Sequence, residues 1–182
     1  MGEEKVSLAP GPDGCEGGSY ELQKKSHIKF RSNQEDGSLD VRYSMTILFW
    51  LFYAGHEGNT GIARFVGKNR NHGTGMFLSG RTDLQGRIET RDHAKVYTLE
   101  AQISAYRWTF VAITFDHTSG EAKLWINAVV ENKTMIKNLI ELSTQQPFKI
   151  GGNKFKGRIT QLQIYNYPLT TEKINESFKI SG

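Results

Sequence analysis

Basic side chains outnumber acidic ones in this sequence, and the excess of positive charge falls within one stretch of the chain. Residues 61–95 contain seven basic and three acidic side chains. The basic ones are Arg64, Lys68, Arg70, Arg81, Arg87, Arg91 and Lys95, and the acidic ones are Asp83, Glu89 and Asp92. This excess of four positive charges equals the formal net charge of the whole chain, +4. Such a surface would attract sulfated or acidic glycans, or an acidic protein surface.

The spacing of these residues predicts a binding patch. Arg87 and Arg91 are four residues apart and would share one face of a strand. The turn that follows Gly67 adds further donors if adjacent hairpins bring the strands together. The predicted ligand-binding residues are Lys68, Arg70, His72, Arg81, Arg87 and Arg91. The alternative is an ordinary solvated sheet face, in which Glu89 and Asp92 pair locally with the cations.

The carboxylates and histidines show no catalytic pattern. Retaining glycoside hydrolysis needs two carboxyl groups roughly 5 Å apart, which alternate positions of one strand would supply. The acidic residues are scattered instead, as at Glu35–Asp36, Glu89 and Glu131. The five histidines have no His-x-His or His-Glu-x-x-His spacing, and no serine or cysteine lies in a nucleophile elbow. We therefore predict that the protein is not an enzyme.

Composition argues against several other classes of protein. The basic residues are not interleaved with an aromatic stacking platform, so we expect no nucleic-acid partner. The longest apolar run, Ile47–Ala54, is far shorter than the ~18 residues that span a bilayer, so we expect no membrane span.

Cys15 is the single cysteine. It cannot form a disulfide within the chain, and we expect a free thiol or a bridge to a cysteine outside this sequence.

The elements that would position these side chains are mostly short strands. Trp108–Phe115 is rich in aromatic and β-branched residues, Asp116–Gly120 has turn chemistry, and Ala122–Asn127 alternates apolar with polar residues. This pattern predicts an antiparallel hairpin with a central first strand. Further strands are predicted at Ser19–Gln23, His27–Arg31, Met45–Tyr53, Ile62–Val66, Met76–Ser79, Gly86–Thr90, Lys95–Leu99, Val129–Lys133, Phe148–Ile150 and Ile159–Tyr165. One helix is predicted over Thr171–Phe178, with Glu172 in its first turn.

The order of these segments resembles the laminin G-like jelly rolls of the concanavalin A-like lectin and glucanase superfamily, which includes the pentraxins. The resemblance rests on Gly18–Leu22, Ser44–Trp50, Arg107–Asn127, Phe148–Gly152 and Leu162–Leu169. It implies an all-β, two-sheet antiparallel jelly-roll sandwich with one short C-terminal helix. A chain of 182 residues suits one such core, so we expect a single domain over residues 1–182, with residues 1–17 as a leader.

The resemblance also implies a function: an extracellular or cell-surface recognition or adhesion module of a larger protein, with a glycan or protein ligand. The first residues, Met1–Lys5, have no apolar stretch typical of an export signal. A structural spacer without a ligand and a glycan hydrolase with an unrecognised site are the alternatives. The fold alone does not choose among them.

Calcium is a common ion in this family, but the usual ligands are replaced here. Where relatives often have an aspartate on the opening strand, this chain has Tyr20-Glu21, and where they have paired acids it has Thr160-Gln161. Calcium needs several hard oxygen ligands, so we predict no metal site of the usual kind. The candidate ligands that are left are Asp13, Glu21 and Asp116.

Three apolar side chains and two glycosylation motifs complete the sequence predictions. Leu162 and Ile164 should face the core. Trp125 points away from Leu124 and Ile126, so it either lines a ligand face or packs beneath a loop or the helix. The tripeptides that begin at Asn132 and Asn175 fit the N-glycosylation rule.

Overall fold

We describe a computed structural model of the chain, which covers residues 6–30, 39–67, 73–152 and 154–179. The strands of this part are β1 Ser7–Ala9, β2 Ser19–Leu22, β3 His27–Phe30, β4 Met45–His56, β5 Thr60–Phe65, β6 Gly75–Ser79, β7 Asp83–Glu89, β8 Val96–Gln102, β9 Trp108–Phe115, β10 Glu121–Ile126, β11 Val129–Met135, β12 Phe148–Gly151 and β13 Phe155–Tyr165. The helix α1 is Thr171–Lys179. It is too short to cross a bilayer, and the described part of the chain has no membrane-spanning helix.

The strands form two antiparallel sheets that face each other. The seven-stranded sheet has the order β1-β2-β13-β4-β9-β10-β11, and the six-stranded sheet has the order β3-β12-β5-β6-β7-β8. The predicted hairpin is β9–β10, with Leu124 opposite Ile113, and β9 lies between β4 and β10 as expected of a central strand. The predicted jelly-roll sandwich with one short C-terminal helix is therefore confirmed.

The main core lies between the sheets because one face of each strand is apolar. On β4, Ile47, Phe49 and Leu51 alternate into this core and are fully buried. The inner face of β7 includes Gly86, and a Cβ added there would lie 2.8 Å from Cδ1 of Ile113. The absence of a side chain at this position lets β7 approach β9 closely.

A second apolar cluster covers the outer face of the seven-stranded sheet, and α1 covers that cluster. Phe178 of α1 stacks on Trp50 with ring centroids 5.5 Å apart, and Ile174 is fully buried in the same cluster. Trp125 is 1% exposed, and its Nε1 donates a hydrogen bond of 3.1 Å to Thr114 Oγ1. Of the two predictions for Trp125, packing beneath the helix is therefore correct.

The closing strand β13 contains a β-bulge. Thr160 pairs with Trp50 and the next pair joins Gln163 to Leu48, so β13 has one residue more than β4 in this interval. Gln161 has a φ of 53°, in the left-handed region. After the bulge, Leu162 and Ile164 pack against the inter-sheet core as predicted, although both are only partly buried.

Candidate functional site

Four basic side chains lie in one line across the outer face of the six-stranded sheet. Lys149 on β12 pairs with Lys29 on β3 and with Arg64 on β5. Arg64 pairs with Gly75 on β6, and Gly75 pairs with Arg87 on β7. Paired residues share a sheet face, so these four cations form what we call the basic row. Because adjacent strands are ~4.8 Å apart, four strand steps give it a length of roughly 19 Å.

An aromatic ring supports the guanidinium end of the basic row. Phe77 points outward from β6 but is only 1% exposed. The guanidinium carbon of Arg87 lies 4.3 Å from its ring centroid, and that of Arg64 lies 5.6 Å away. Arg87 also donates two hydrogen bonds to Gln85 Oε1. These contacts place the two guanidinium groups over the Phe77 ring, on the outer face of the sheet.

The positive charges of the basic row repel one another. Burial lowers the pKa of Lys149, and the neighbouring charges of Arg64 and Lys29 lower it further. Burial also lowers the pKa of the Arg64 guanidinium, and Arg87 adds to that effect. For Arg87, burial lowers the pKa, whereas the carboxylate of Glu100 raises it. A bound anion would offset the mutual repulsion, because an opposite charge favours the protonated form of each group.

The residues predicted as a patch have different surroundings. Arg87 belongs to the basic row, and Arg81 lies exposed in the turn between β6 and β7. Arg91 follows the end of β7 at Glu89, and its Nη1 and Nη2 donate to the carboxylate of Asp40 at 2.9 and 2.7 Å. The expectation that Arg87 and Arg91 share a strand face was therefore wrong.

The rest of the predicted patch, Lys68, Arg70 and His72, lies outside the described residues. The patch as a whole stays a prediction. Sequence reasoning missed Lys29 and Lys149, which the chain separates widely and the β3–β12 pairing brings together. A weak signal was present at both places, because each lysine stands between two apolar residues of a short strand.

Comparison with known proteins identifies the family. The family model described as the Concanavalin A-like lectin/glucanases superfamily, Laminin_G_3, matches residues 23–175. The chain belongs to this family. The domain is also similar in structure to the receptor binding domain of botulinum neurotoxin C/D mosaic serotype, with a TM-score of 0.76 and 17% identity over 97% of this chain and 45% of that one.

Two further neurotoxin structures have similar values. The botulinum neurotoxin serotype D ligand binding domain in complex with N-acetylneuraminic acid has a TM-score of 0.76 at 17% identity, over 97% of this chain and 44% of that one. The neurotoxin DC binding domain in complex with rat synaptotagmin II has a TM-score of 0.74 at 17% identity, over 99% and 46%. The laminin G-like domain spans less than half of each of these chains, and at such identity the likeness shows the fold alone.

Two acidic side chains of this laminin G-like domain, Glu89 and Asp116, have local structural contacts. Glu89 is fully buried, with its Oε1 3.2 Å from His93 Nδ1. Asp116 accepts hydrogen bonds from Thr118 N and Ser119 Oγ, which close the β9–β10 turn. Hydrogen bonds from these donors, the Ser119 hydroxyl first, hold the pKa of Asp116 below its usual value.

The candidate calcium ligands are not gathered into a site. Asp13 accepts a hydrogen bond from Cys15 N, and Glu21 accepts one from Ser7 Oγ. Among the described residues, no group of three or more His, Cys, Asp or Glu side chains could hold a metal ion. The described residues therefore do not fit a carboxylate-rich calcium site.

The remaining candidates from the sequence lie at the surface. Cys15 is an exposed free thiol. Asn132 on the edge strand β11 donates from Nδ2 to the carbonyl of Glu100 on β8, at 3.0 Å. Asn175 on α1 donates to the carbonyl of Thr171 at 2.9 Å. Both asparagines stay predicted glycosylation sites.

In the part of the chain that the structure describes, two cavities have linings without a pair of carboxylates. A cavity of about 470 Å³ lies where β3, β12 and β13 meet, and its walls are mostly apolar, with Phe30, Phe148 and Ile159 among them. A second cavity, of about 330 Å³, lies between β13 and α1. Its lining includes one carboxylate, Glu176, whose Oε2 lies 2.7 Å from Lys173 Nζ.

Proposed function

We propose that this laminin G-like domain is a non-enzymatic recognition module that binds an acidic glycan along the basic row. The observation that carries this proposal is the alignment of Lys29, Lys149, Arg64 and Arg87 at one cross-strand register. A sulfated or carboxylated glycan is a linear chain with anionic groups at intervals. A row of cations roughly 19 Å long, built on adjacent strands, matches such a ligand better than it matches a compact anion.

The two kinds of cation in the basic row have different uses. The guanidinium groups of Arg64 and Arg87 are planar, and planar guanidinium groups suit the oxygens of sulfate or carboxylate. Each guanidinium has five N–H donors, of which Arg87 uses those on Nε and Nη2 for Gln85. Lys29 is exposed and Lys149 is half-buried, and each supplies a point charge on a flexible stem. The arginines would fix the register of the ligand, and the lysines would extend its contact along the sheet.

We further propose that the domain acts outside the cell or at the cell surface, in adhesion or recognition, as one part of a longer protein. The membership in a laminin G-like family supports this location. The competing function is that of a structural spacer. The ion pair between Arg91 and Asp40 favours a structural role for Arg91. The basic row distinguishes the two functions, because aligned like charges repel one another and are not expected in a spacer that binds no ligand.

Retention on a heparin column tests the proposal. The double variant Arg87→Gln/Lys149→Gln removes two charges from the basic row and should elute at clearly lower salt than the wild type. The matched control, Lys133→Gln/Lys137→Gln, removes two charges from exposed lysines on and just after β11 and should elute near the wild type. Circular dichroism of all three proteins verifies that they are folded.

Three results would contradict the proposal. Equal shifts of the two double variants would show that retention depends on net charge alone. Elution of the wild type with a neutral control protein would favour the spacer. If a poly-glutamate peptide displaces the protein from the column and free heparin chains do not, the ligand is an acidic protein segment and not a glycan.

A further inference from the structure

The cavity between β13 and α1 combines aromatic rings with planar polar groups. Its volume is about 330 Å³, near the lower end of the range of ~300–1,000 Å³ for small-molecule sites. The side chains that matter here are Gln161, Gln163, Tyr165, Tyr167, Lys173 and Glu176. They lie on β13 of the seven-stranded sheet, on α1 and in the segment between these two elements, whereas the basic row lies on the other sheet.

The β-bulge of β13 helps to form this cavity. Gln161 has a φ of 53° and stands in the bulge, and its side chain lines the cavity. A non-glycine residue rarely adopts this conformation, and bulges often redirect a side chain next to a binding site. The strand then returns to regular alternation, so Gln163 and Tyr165 face the same side as Trp50 and Leu48.

Several contacts hold the lining in place before any ligand binds. The hydroxyl of Tyr165 donates to Gln163 Oε1 at 2.5 Å, which leaves the amide NH₂ group of Gln163 as a donor. The rings of Tyr165 and Tyr167 have centroids 5.3 Å apart and are tilted by 58°. On α1, Lys173 and Glu176 form an ion pair. The cavity thus has two ring faces, donors and acceptors, and compensating charges.

This combination suits a neutral sugar. A pyranose ring has an apolar face of C–H groups, which packs on aromatic rings, and a rim of hydroxyl groups that each donate and accept. Glutamine amides and a carboxylate next to an ammonium group can serve both roles of those hydroxyls. Because the charges of Lys173 and Glu176 balance, the cavity offers little to a polyanion. We propose that this cavity is a subsite for one sugar residue of a neutral glycan.

The subsite is independent of the basic row and can be tested separately. The full chain, labelled with ¹⁵N, is titrated with methyl glycosides of glucose, galactose, mannose and N-acetylglucosamine. We expect at least one of them to bind with a roughly millimolar dissociation constant. The amide shifts should centre on Gln163, Tyr165 and the first turns of α1.

Matched variants locate the site. Tyr167→Ala should weaken binding by roughly tenfold, since it removes one ring face. Tyr165→Phe keeps the ring and removes the hydroxyl that orients Gln163, so it should weaken binding by a smaller factor. The control Tyr106→Ala removes a tyrosine that is 71% exposed in a distant turn and should leave binding unchanged. Heparin retention should be the same for all three variants.

Three outcomes would overturn the subsite. The first is that no glycoside shifts any amide at the highest soluble concentration. The second is that the shifts lie away from β13 and α1. The third is that Tyr167→Ala binds as tightly as the wild type while its spectrum shows a folded domain. None of these outcomes bears on the basic row, whose failure would appear in the heparin experiment.

Discussion

Replacing Asp40 with asparagine should lower the free energy of unfolding by about 2 kcal/mol at neutral pH. Asp40 accepts two hydrogen bonds from the guanidinium of Arg91, at 2.9 and 2.7 Å, and a third from Thr144 Oγ1 at 2.7 Å. These contacts connect the segment before β4, the turn after β7 and the segment before β12. Asparagine keeps the shape of the side chain and loses the charge.

The magnitude follows from the burial of the pair. The side chains of Arg91 and Asp40 are 26% and 25% exposed, so the pair is neither a surface nor a fully buried ion pair. Exposed pairs contribute about 0–1 kcal/mol, and breaking a buried pair costs about 3–5 kcal/mol. A value of about 2 kcal/mol lies between these limits. As a control, Glu176→Gln breaks an ion pair whose two side chains are 62% and 57% exposed.

The stabilisation should disappear in acid. The hydrogen bonds from Arg91 are the first cause that lowers the pKa of Asp40 below its ordinary value. The folded state therefore binds the proton less readily than the unfolded chain, whose aspartates titrate near pH ~3.9. The contribution is fully present above that pH and is lost as the pH falls through the folded-state pKa. The stability gap between the wild type and Asp40→Asn should narrow below pH ~4.

Urea denaturation of a double-mutant cycle measures this prediction. The cycle uses the wild type, Asp40→Asn, Arg91→Gln and the double variant at pH 7, 5 and 3.5. We expect a coupling energy of about 1–2 kcal/mol at pH 7 that decreases at the lowest pH. A coupling energy within about 0.3 kcal/mol of zero, or one that does not change with pH, would refute the structural role of Arg91.

Three further predictions concern other parts of the domain. If four cations contact a linear polyanion, a plot of log affinity against log salt concentration should have a slope of about −3, and of about −1.5 in Arg87→Gln/Lys149→Gln. Titration calorimetry at several salt concentrations measures both slopes, and equal slopes would contradict binding by the basic row. Phe178→Ala should cost about 2 kcal/mol and shift tryptophan fluorescence to the red, because it uncovers Trp50; an unchanged emission maximum would contradict that packing. Gly86→Val should cost about 1–3 kcal/mol in urea denaturation, because its side chain would meet Ile113; wild-type stability would contradict the close packing of the two sheets.

The sequence predicted the strands well where their pattern was local. β9 has the predicted bounds, Trp108–Phe115, because aromatic and β-branched residues fill the strand and turn residues end it. β1, Ser7–Ala9, was not predicted, because three residues carry too little periodicity and the strand exists through its pairing with β2. The helix was predicted as Thr171–Phe178 and ends one residue later.

The candidate site was harder to predict, because it depends on pairing between distant strands. Arg87 could be proposed from local charge density. Lys29 and Lys149 could not be proposed in the same way, because the order of strands in the six-stranded sheet cannot be predicted from the spacing of residues in the sequence. The prediction that Arg87 and Arg91 share a strand face failed for a related reason. Side chains alternate between the two faces only while a strand continues. β7 ends at Glu89, and Thr90 then forms a bridge with Leu142.

The central claim is that the basic row binds an acidic glycan, and the most direct measurement is an NMR titration of the ¹⁵N-labelled domain with a heparin-derived oligosaccharide. We predict that the largest amide shifts lie on β3, β12, β5 and β7, around Lys29, Lys149, Arg64 and Arg87, and that they vanish in Arg87→Gln/Lys149→Gln. Shifts centred on basic residues elsewhere, or the same shifts in that double variant, would contradict the claim.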